Sequence, residues 1–179
     1  RGRDEAEGAG QRQFLQHLLE LIARTEKTLR SEEDPTQALR FTVEERIECA
    51  ESGRVQYVRR TDNVLPVHIP HTDPADPAHP PRIPLLSCLH ALAAPETVDG
   101  VFSAALGRPA AALKSLGLAS FPAVLVLQAR RFTFQGWVPR KMDVLLEVED
   151  RLDLAFLRSA GPRPGETLQP SPGQPAPDP

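Results

Sequence analysis

Cysteine is scarce in this chain of 179 residues, which contains only Cys49 and Cys88. Two cysteines in a chain of this length do not form the disulfide framework of a small secreted protein. The sequence therefore predicts a reducing compartment, and we expect the protein in the cytosol or the nucleus.

Metal-binding and cofactor motifs are also missing. No CxxC pair occurs, and neither do GxGxxG, GxxxxGKS or GxSxG motifs. His68 and His71 have a ligand-like spacing, with His79, Cys49 and Cys88 as the other potential ligands. The three histidines fall in a proline-rich stretch, where exposed loop positions are expected. We predict neither a metal site nor a cofactor.

Basic charge and long apolar runs are the next absences. The formal net charge is −3, so no strong positive field favours nucleic acid or an anionic membrane. A membrane-spanning helix needs about 20 mostly apolar residues, and the sequence has no such run. We therefore predict no nucleic-acid partner and no membrane partner.

Proline, in contrast, is abundant, with 19 residues. Proline fixes φ and lacks a backbone donor, so its two clusters predict a loop over residues 70–84 and a linker over residues 159–179. Residues 1–10, RGRDEAEGAG, are predicted to be a disordered start. Residues 11–158 then remain as the folded part.

Hydrophobic periodicity predicts two helices and a hairpin. Apolar residues at helical spacing indicate an amphipathic helix over residues 11–30, and LLSCLHALA indicates a second helix directly after Pro84. Alternation with a period of two predicts a β-hairpin over residues 41–59, with its turn at Glu51-Ser52-Gly53. The stretch AALGRPAAALKSLGLAS stays ambiguous, because alanine favours a helix whereas glycine and proline interrupt one.

The second half of the chain predicts strands. The apolar run PAVLVLQ indicates a strand over residues 122–128 that is buried on both faces. A turn at Gly136 and a strand over residues 142–148 are expected to follow. This order of elements predicts an α+β fold with an antiparallel sheet.

No complete catalytic constellation emerges from the residues themselves. Neither Cys49 nor Cys88 follows a glycine-rich turn or begins a helix, so both are predicted to be buried structural thiols. His17 and His90 are interpreted as helix-surface residues, since no nucleophile pairs with either. The carboxylate pair Glu44-Glu45 is interpreted as a solvated face. We assign no catalytic residue.

The stretch PAVLVLQARRF, followed by KMDV and then LDL, resembles a signature of the ubiquitin-specific protease family, the papain-like cysteine deubiquitinases. Its proline, spaced leucines and terminal Arg-Arg-Phe match a central strand of that family. PLLSCLHALAAPETVDG, FTVEERIECAESGRVQY and QFLQHLLELIARTEK are similar to other segments of the same domain. Within the family, the tryptophan before the proline in QGWVP most resembles the isopeptidase T branch.

This resemblance implies a fragment of a papain-like deubiquitinase domain over residues 11–158, with a thumb helix, a fingers hairpin and antiparallel palm strands. It also implies ubiquitin or polyubiquitin as partner. Tyr57, Arg59 and Trp137 are the residues that we expect to face ubiquitin. No cofactor is implied.

The catalytic boxes of the family are not present. Its nucleophile lies in N-x-G-N-[TS]-C, whereas the only asparagine here, Asn63, is far from both cysteines in sequence. Its general base lies in a G-H-Y box, and the only tyrosine here follows Val55-Gln56. Neither cysteine inherits the catalytic role, so this segment alone is predicted to be inactive.

Three hypotheses follow. The chain is the central part of a cysteine-type deubiquitinase whose missing boxes lie outside these residues. Alternatively, it is a catalytically dead remnant that acts as a ubiquitin-binding module, as the eroded stretch AGQRQF would fit. The third alternative is an unrelated α+β interaction domain.

Overall fold

The computed structural model of the protein describes residues 3–29, 34–70, 80–135 and 138–169. The chain divides into two units. The first comprises Arg1–Arg40, Asn63–Leu89 and Pro122–Leu152, and the second comprises Phe41–Asp62, His90–Phe121 and Asp153–Pro179. Each unit is therefore assembled from three separate stretches of sequence.

The described ranges contain two α-helices and ten β-strands. In chain order they are α1 (Arg3–Leu29), β1 (Phe41–Cys49), β2 (Val55–Asp62), β3 (Leu65–His68), β4 (Arg82–Pro84), α2 (Leu85–Ala93), β5 (Glu96–Ser103), β6 (Arg108–Ser120), β7 (Leu127–Arg130), β8 (Phe132–Gln135), β9 (Val138–Lys141) and β10 (Leu145–Glu147). Short 3₁₀ turns lie at Pro35–Leu39 and Ala155–Leu157. None of the helices in the described ranges is long and apolar enough to cross a membrane.

Helix α1 is longer than the sequence predicted. It ends at Leu29, close to the expected boundary, but it begins at Arg3, within residues 1–10 that were expected to be disordered. Alanine, glutamate and arginine are good helix formers, and their preference outweighs the two glycines of this stretch. On its apolar stripe Leu19 is buried, whereas Phe14 and Leu21 are exposed.

Strands β1 and β2 form the predicted hairpin. They pair antiparallel from Phe41 opposite Asp62 to Glu48 opposite Val55. Gly53 lies in the connecting turn with a φ of 64°, a conformation that glycine adopts without steric cost. The N–H of Gly53 donates to the carbonyl of Cys49 at 2.9 Å and closes the turn.

The alanine-rich stretch that the sequence left ambiguous, residues 104–120, forms the turn and the second strand of another hairpin, made of β5 and β6. Together the four strands form an antiparallel sheet in the order β2-β1-β6-β5. Strand β6 hydrogen-bonds to a neighbour on each side, and this pairing overrides the helical preference of its alanines. Gly107, with a φ of 67°, supplies the turn that precedes it.

The first unit contains three short strand pairs. β8 and β9 are antiparallel, whereas β3 with β7 and β4 with β10 are parallel. The α+β class is confirmed, but the expectation that all palm strands run antiparallel is corrected by the two parallel pairs. Their partners are separated by long connections, which do not impose the antiparallel direction of a tight hairpin. β4 also lies inside the predicted loop over residues 70–84.

The apolar run PAVLVLQ is less buried than the sequence predicted. A strand forms only from Leu127, the preceding residues are half-buried or exposed, and Val124 is 55% exposed. Among the described strands β7 pairs only with β3, so its other edge is not covered by a neighbour. The strand expected over residues 142–148 is likewise reduced to β10.

Candidate functional site

Two of the residues predicted to face ubiquitin lie on one face of the β1–β2 hairpin. In the antiparallel register Arg59 stands opposite Glu44, and Tyr57 stands opposite Arg46. Cross-strand partners project from the same side of a sheet, so these four side chains form one surface. Residues 157–169, named here the covering segment, lie against this surface.

Backbone hydrogen bonds attach the covering segment to the sheet. The N–H of Ser159 donates to the carbonyl of Leu118 at 2.9 Å. Val55 donates to the carbonyl of Thr167 at 2.9 Å and accepts from the N–H of Gln169 at 2.8 Å. Residues 159–169 therefore belong to the second unit, although their prolines predicted a linker. In the sequence, only Glu166 among the prolines indicates that this stretch differs from a linker.

Glu44 anchors the first part of the covering segment. Its carboxylate is fully buried, and it accepts hydrogen bonds from Arg59 Nε at 2.5 Å and from the hydroxyl of Ser159. Burial acts to raise the pKa of Glu44, but these donors and the N–H of Gly161 hold it below its ordinary value. The prediction of a solvated Glu44 was wrong, because contacts distant in sequence bury it.

Glu166 anchors the last part of the covering segment. Its carboxylate accepts from Arg46 Nε and from the Tyr57 hydroxyl, both at 2.7 Å, and from the N–H of Arg163 at 2.9 Å. Burial acts to raise the pKa of Glu166, but these three donors lower it to about 2. The Tyr57 hydroxyl is thus committed to a contact within the unit.

A cavity of about 370 Å³ opens between the sheet and the covering segment. Phe156 and Leu116 contribute apolar wall, while Arg158 and Arg163 contribute guanidinium groups. The Arg158 guanidinium lies 5.0 Å from the centre of the Phe121 ring, and His90 stacks on Phe156 with ring centres 3.8 Å apart. His90 is therefore engaged by an aromatic neighbour rather than by a nucleophile.

The two cysteines do not form a catalytic pair with a histidine among the described residues. Hydrogen bonds from the side chain and backbone of Ser52 lower the pKa of Cys49 to about 7, although its thiol is buried. The sequence predicted the turn that contains Ser52, but it did not show that Ser52 bonds the Cys49 thiol. Burial raises the pKa of Cys88. A thiol without an adjacent base and without access to substrate does not support nucleophilic catalysis.

The remaining predicted residues lie apart from this surface or outside the description. His68 approaches Arg130, with 3.4 Å between ring and guanidinium nitrogens, in the first unit. Within the described ranges no cluster of three or more histidine, cysteine or acidic residues is placed to hold a metal ion. Trp137, His71 and His79 lie outside the described residues.

Comparison with protein families gives a match over most of the chain. The family model described as ubiquitin carboxyl-terminal hydrolase matches residues 10–170. Human ubiquitin carboxyl-terminal hydrolase 5 is 35% identical over 178 residues, which cover 86% of this chain and 20% of the relative. Ubiquitin carboxyl-terminal hydrolase 14 of Arabidopsis thaliana is 34% identical over 183 residues, with 88% and 23% covered. The chain thus spans about a fifth of the length of these curated relatives.

A solved structure supports the fold independently. The chain is similar to one described as "Structure of the SAGA Ubp8/Sgf11/Sus1/Sgf73 DUB module bound to ubiquitin aldehyde", with a TM-score of 0.62. The alignment covers 88% of this chain and 35% of that chain at 20% identity. At this identity the likeness concerns the fold, and it confirms the prediction of a partial α+β domain of this type.

Proposed function

Because the chain belongs to the ubiquitin carboxyl-terminal hydrolase family, we propose that it is the central part of a cysteine-type deubiquitinase. The whole protein would cleave ubiquitin from polyubiquitin or from protein conjugates in the cytosol or nucleus. The observation that carries this proposal is the family match over residues 10–170. Within that protein the present residues supply scaffold and ubiquitin-facing surface, while other segments supply the nucleophile and base.

The chemistry of thiol hydrolases explains why the nucleophile and the base are assigned to other segments. A cysteine nucleophile attacks the scissile carbonyl as a thiolate, and a neighbouring histidine accepts its proton and later protonates the leaving amine. Cys49 and Cys88 are both buried, and no described histidine hydrogen-bonds to either. Neither residue is proposed as the nucleophile.

Arg59 is the residue that we favour for contact with ubiquitin. Its side chain is 59% exposed although it also binds Glu44, so part of the guanidinium is free to reach a partner. In this proposal Tyr57 supports the ubiquitin-facing surface without donating its hydroxyl to ubiquitin, because that hydroxyl is bound to Glu166 within the unit. Trp137 is also proposed to contact ubiquitin, and this proposal rests on the sequence alone.

The purified 179-residue chain is expected to release no fluorophore from a ubiquitin–aminomethylcoumarin substrate, because it offers no accessible thiolate with a base. The measurement is fluorescence over several hours, with an active deubiquitinase as positive control. Hydrolysis that disappears in the Cys49→Ser or Cys88→Ser variant would overturn the assignment of catalysis to other segments.

The second candidate, a catalytically dead ubiquitin-binding module, is favoured by the degraded stretch AGQRQF. The same assay on the protein with its flanking sequence separates the two candidates. Hydrolysis by the extended protein supports the deubiquitinase, whereas ubiquitin binding without hydrolysis supports the module. The family match over residues 10–170 overturns the third hypothesis, an unrelated interaction domain. Absence of both activities would therefore contradict both remaining candidates.

A further inference from the structure

The cavity beneath the covering segment has the size and lining of a ligand site. Its volume of about 370 Å³ falls in the range of small-molecule and side-chain pockets. It lies wholly within the second unit, and its lining comes from β1, β2, β6, the end of α2 with Pro95, and residues 156–163. Apolar atoms come from Ala93, Pro95, Leu116 and Phe156. A ligand that enters the cavity would therefore bury apolar surface against four side chains.

The carboxylates in and around this cavity are already paired with arginines, and two of them share one guanidinium group. Glu44 is paired with Arg59, and Glu166 is paired with Arg46 at 2.7 Å. Arg46 also reaches Glu48 at 2.8 Å. No lining carboxylate is thus left to repel an anion.

Two lining cations, in contrast, have no carboxylate partner among the residues that the structure describes. They are Arg158 and Arg163, both exposed at the cavity. The Phe121 ring lies beneath the Arg158 guanidinium and limits its orientations. An arginine that is oriented in advance loses less side-chain entropy when it binds a carboxylate.

The cavity walls are held in place before any ligand arrives. Glu44 bonds both Ser159 and Gly161, and Glu166 bonds the backbone of Arg163. Arg158 and Arg163 therefore belong to a segment that is fixed on each side. This arrangement favours a ligand that presents carboxylates beside an apolar group, rather than a single compact anion.

We propose that this cavity, lined by Arg158, Arg163, Leu116 and Phe156, binds a short acidic peptide segment of a partner protein. An apolar side chain of the segment occupies the cavity, and its flanking carboxylates pair with the two guanidinium groups. The proposal does not rest on ubiquitin cleavage, because it uses neither the catalytic boxes nor the exposed guanidinium of Arg59.

The test uses the 179-residue chain and a fluorescein-labelled peptide with leucine between aspartate and glutamate pairs. Its control replaces every acid by asparagine or glutamine. Fluorescence anisotropy is expected to show about tenfold tighter binding of the acidic peptide. Arg158→Glu and Arg163→Glu are each expected to weaken that binding about three- to tenfold, because each reverses a pairing charge.

A matched variant controls for charge alone. Arg151→Glu reverses an exposed arginine that does not line the cavity. It is expected to change the affinity less than about twofold, because it removes no group that pairs with the peptide. Circular dichroism establishes that all variants fold. Equal binding of the two peptides, or unchanged affinity in both cavity variants, would contradict the proposal.

Two competition arms identify the ligand class. Inorganic phosphate at millimolar concentration is expected to leave the peptide bound, and efficient displacement would make this a simple oxyanion site instead. Free ubiquitin is also expected to leave the peptide bound. Displacement by ubiquitin that Arg158→Glu abolishes would assign the cavity to the ubiquitin surface and refute a separate partner, without affecting the proposed deubiquitinase.

Discussion

The Glu166→Gln variant is expected to lower the free energy of unfolding by about 2–3 kcal/mol. The carboxylate accepts three hydrogen bonds, from Arg46, Tyr57 and the backbone of Arg163, and a glutamine keeps its shape but replaces one acceptor oxygen by a donor nitrogen. At least one of these donors then loses its acceptor, and the Arg46 and Tyr57 donors are partly buried. Urea denaturation of the 179-residue chain measures the difference.

Glu149→Gln is the matched control, because Glu149 is exposed in the first unit. Substitutions at such surface positions usually change stability by less than about 0.5 kcal/mol. Equal effects of the two variants would mean that the Glu166 contacts contribute nothing beyond a surface charge. A large loss confined to Glu166→Gln would establish the covering segment as a stabilising part of the second unit.

The same carboxylate predicts how stability depends on pH. The pKa of Glu166 is about 2 in the folded protein, below its ordinary value of 4.5, so the unfolded chain takes up this proton first as the pH falls. Its stabilisation is therefore complete above about pH 4.5 and is lost progressively towards about pH 2. We expect the free energy of unfolding to fall less steeply with decreasing pH in Glu166→Gln than in the unsubstituted chain.

Urea midpoints at several pH values between about 6 and 3 give the two curves. Glu44 and Glu45 also have lowered pKa values, and they weaken both proteins in acid. The difference between the curves therefore isolates Glu166. Parallel curves would show that its pKa is not depressed by folding.

Local sequence patterns were sufficient for the elements that depend on local contacts. The β1–β2 hairpin was predicted because period-two alternation and Gly53 act within a few residues of each other. Helix α2 was predicted from its leucine spacing and from Pro84 before it. In both cases the sequence near an element contains most of the information that determines it.

Elements that depend on distant partners were missed or left ambiguous, because the contacts that determine them lie far away in the sequence. β6 is a strand because it pairs with β1 and β5, although its alanines favour helix. The covering segment reads as a linker, yet Glu166 bonds Arg46 across 120 positions of sequence. A proline-rich composition predicts how a segment behaves without tertiary contacts. The covering segment is instead held by hydrogen bonds to the sheet, and its partners there lie far away in the sequence.

Gly117 is constrained by a segment distant in sequence, because the covering segment packs closely against it. Gly117→Val is expected to lower the free energy of unfolding by about 1–3 kcal/mol. A Cβ at this position would lie 2.8 Å from the Cβ of Ser159 and 3.2 Å from the carbonyl oxygen of Leu157. The backbone of Gly117 does not have a positive φ, so the cost arises from space rather than from conformation. Urea denaturation measures it, with Ser115→Val on the same face of β6 as the control.

The close approach predicts a specific coupling between Gly117 and Ser159. Ser159→Gly removes the Cβ that the new side chain meets, at the cost of the hydrogen bond to Glu44. If contact between the two side chains causes the loss, the Gly117→Val/Ser159→Gly double variant is more stable than the sum of the two single changes predicts. Strict additivity would place the cost in the Leu157 carbonyl instead. Because that carbonyl is backbone, the covering segment would then have to move as a whole to accept any side chain at position 117.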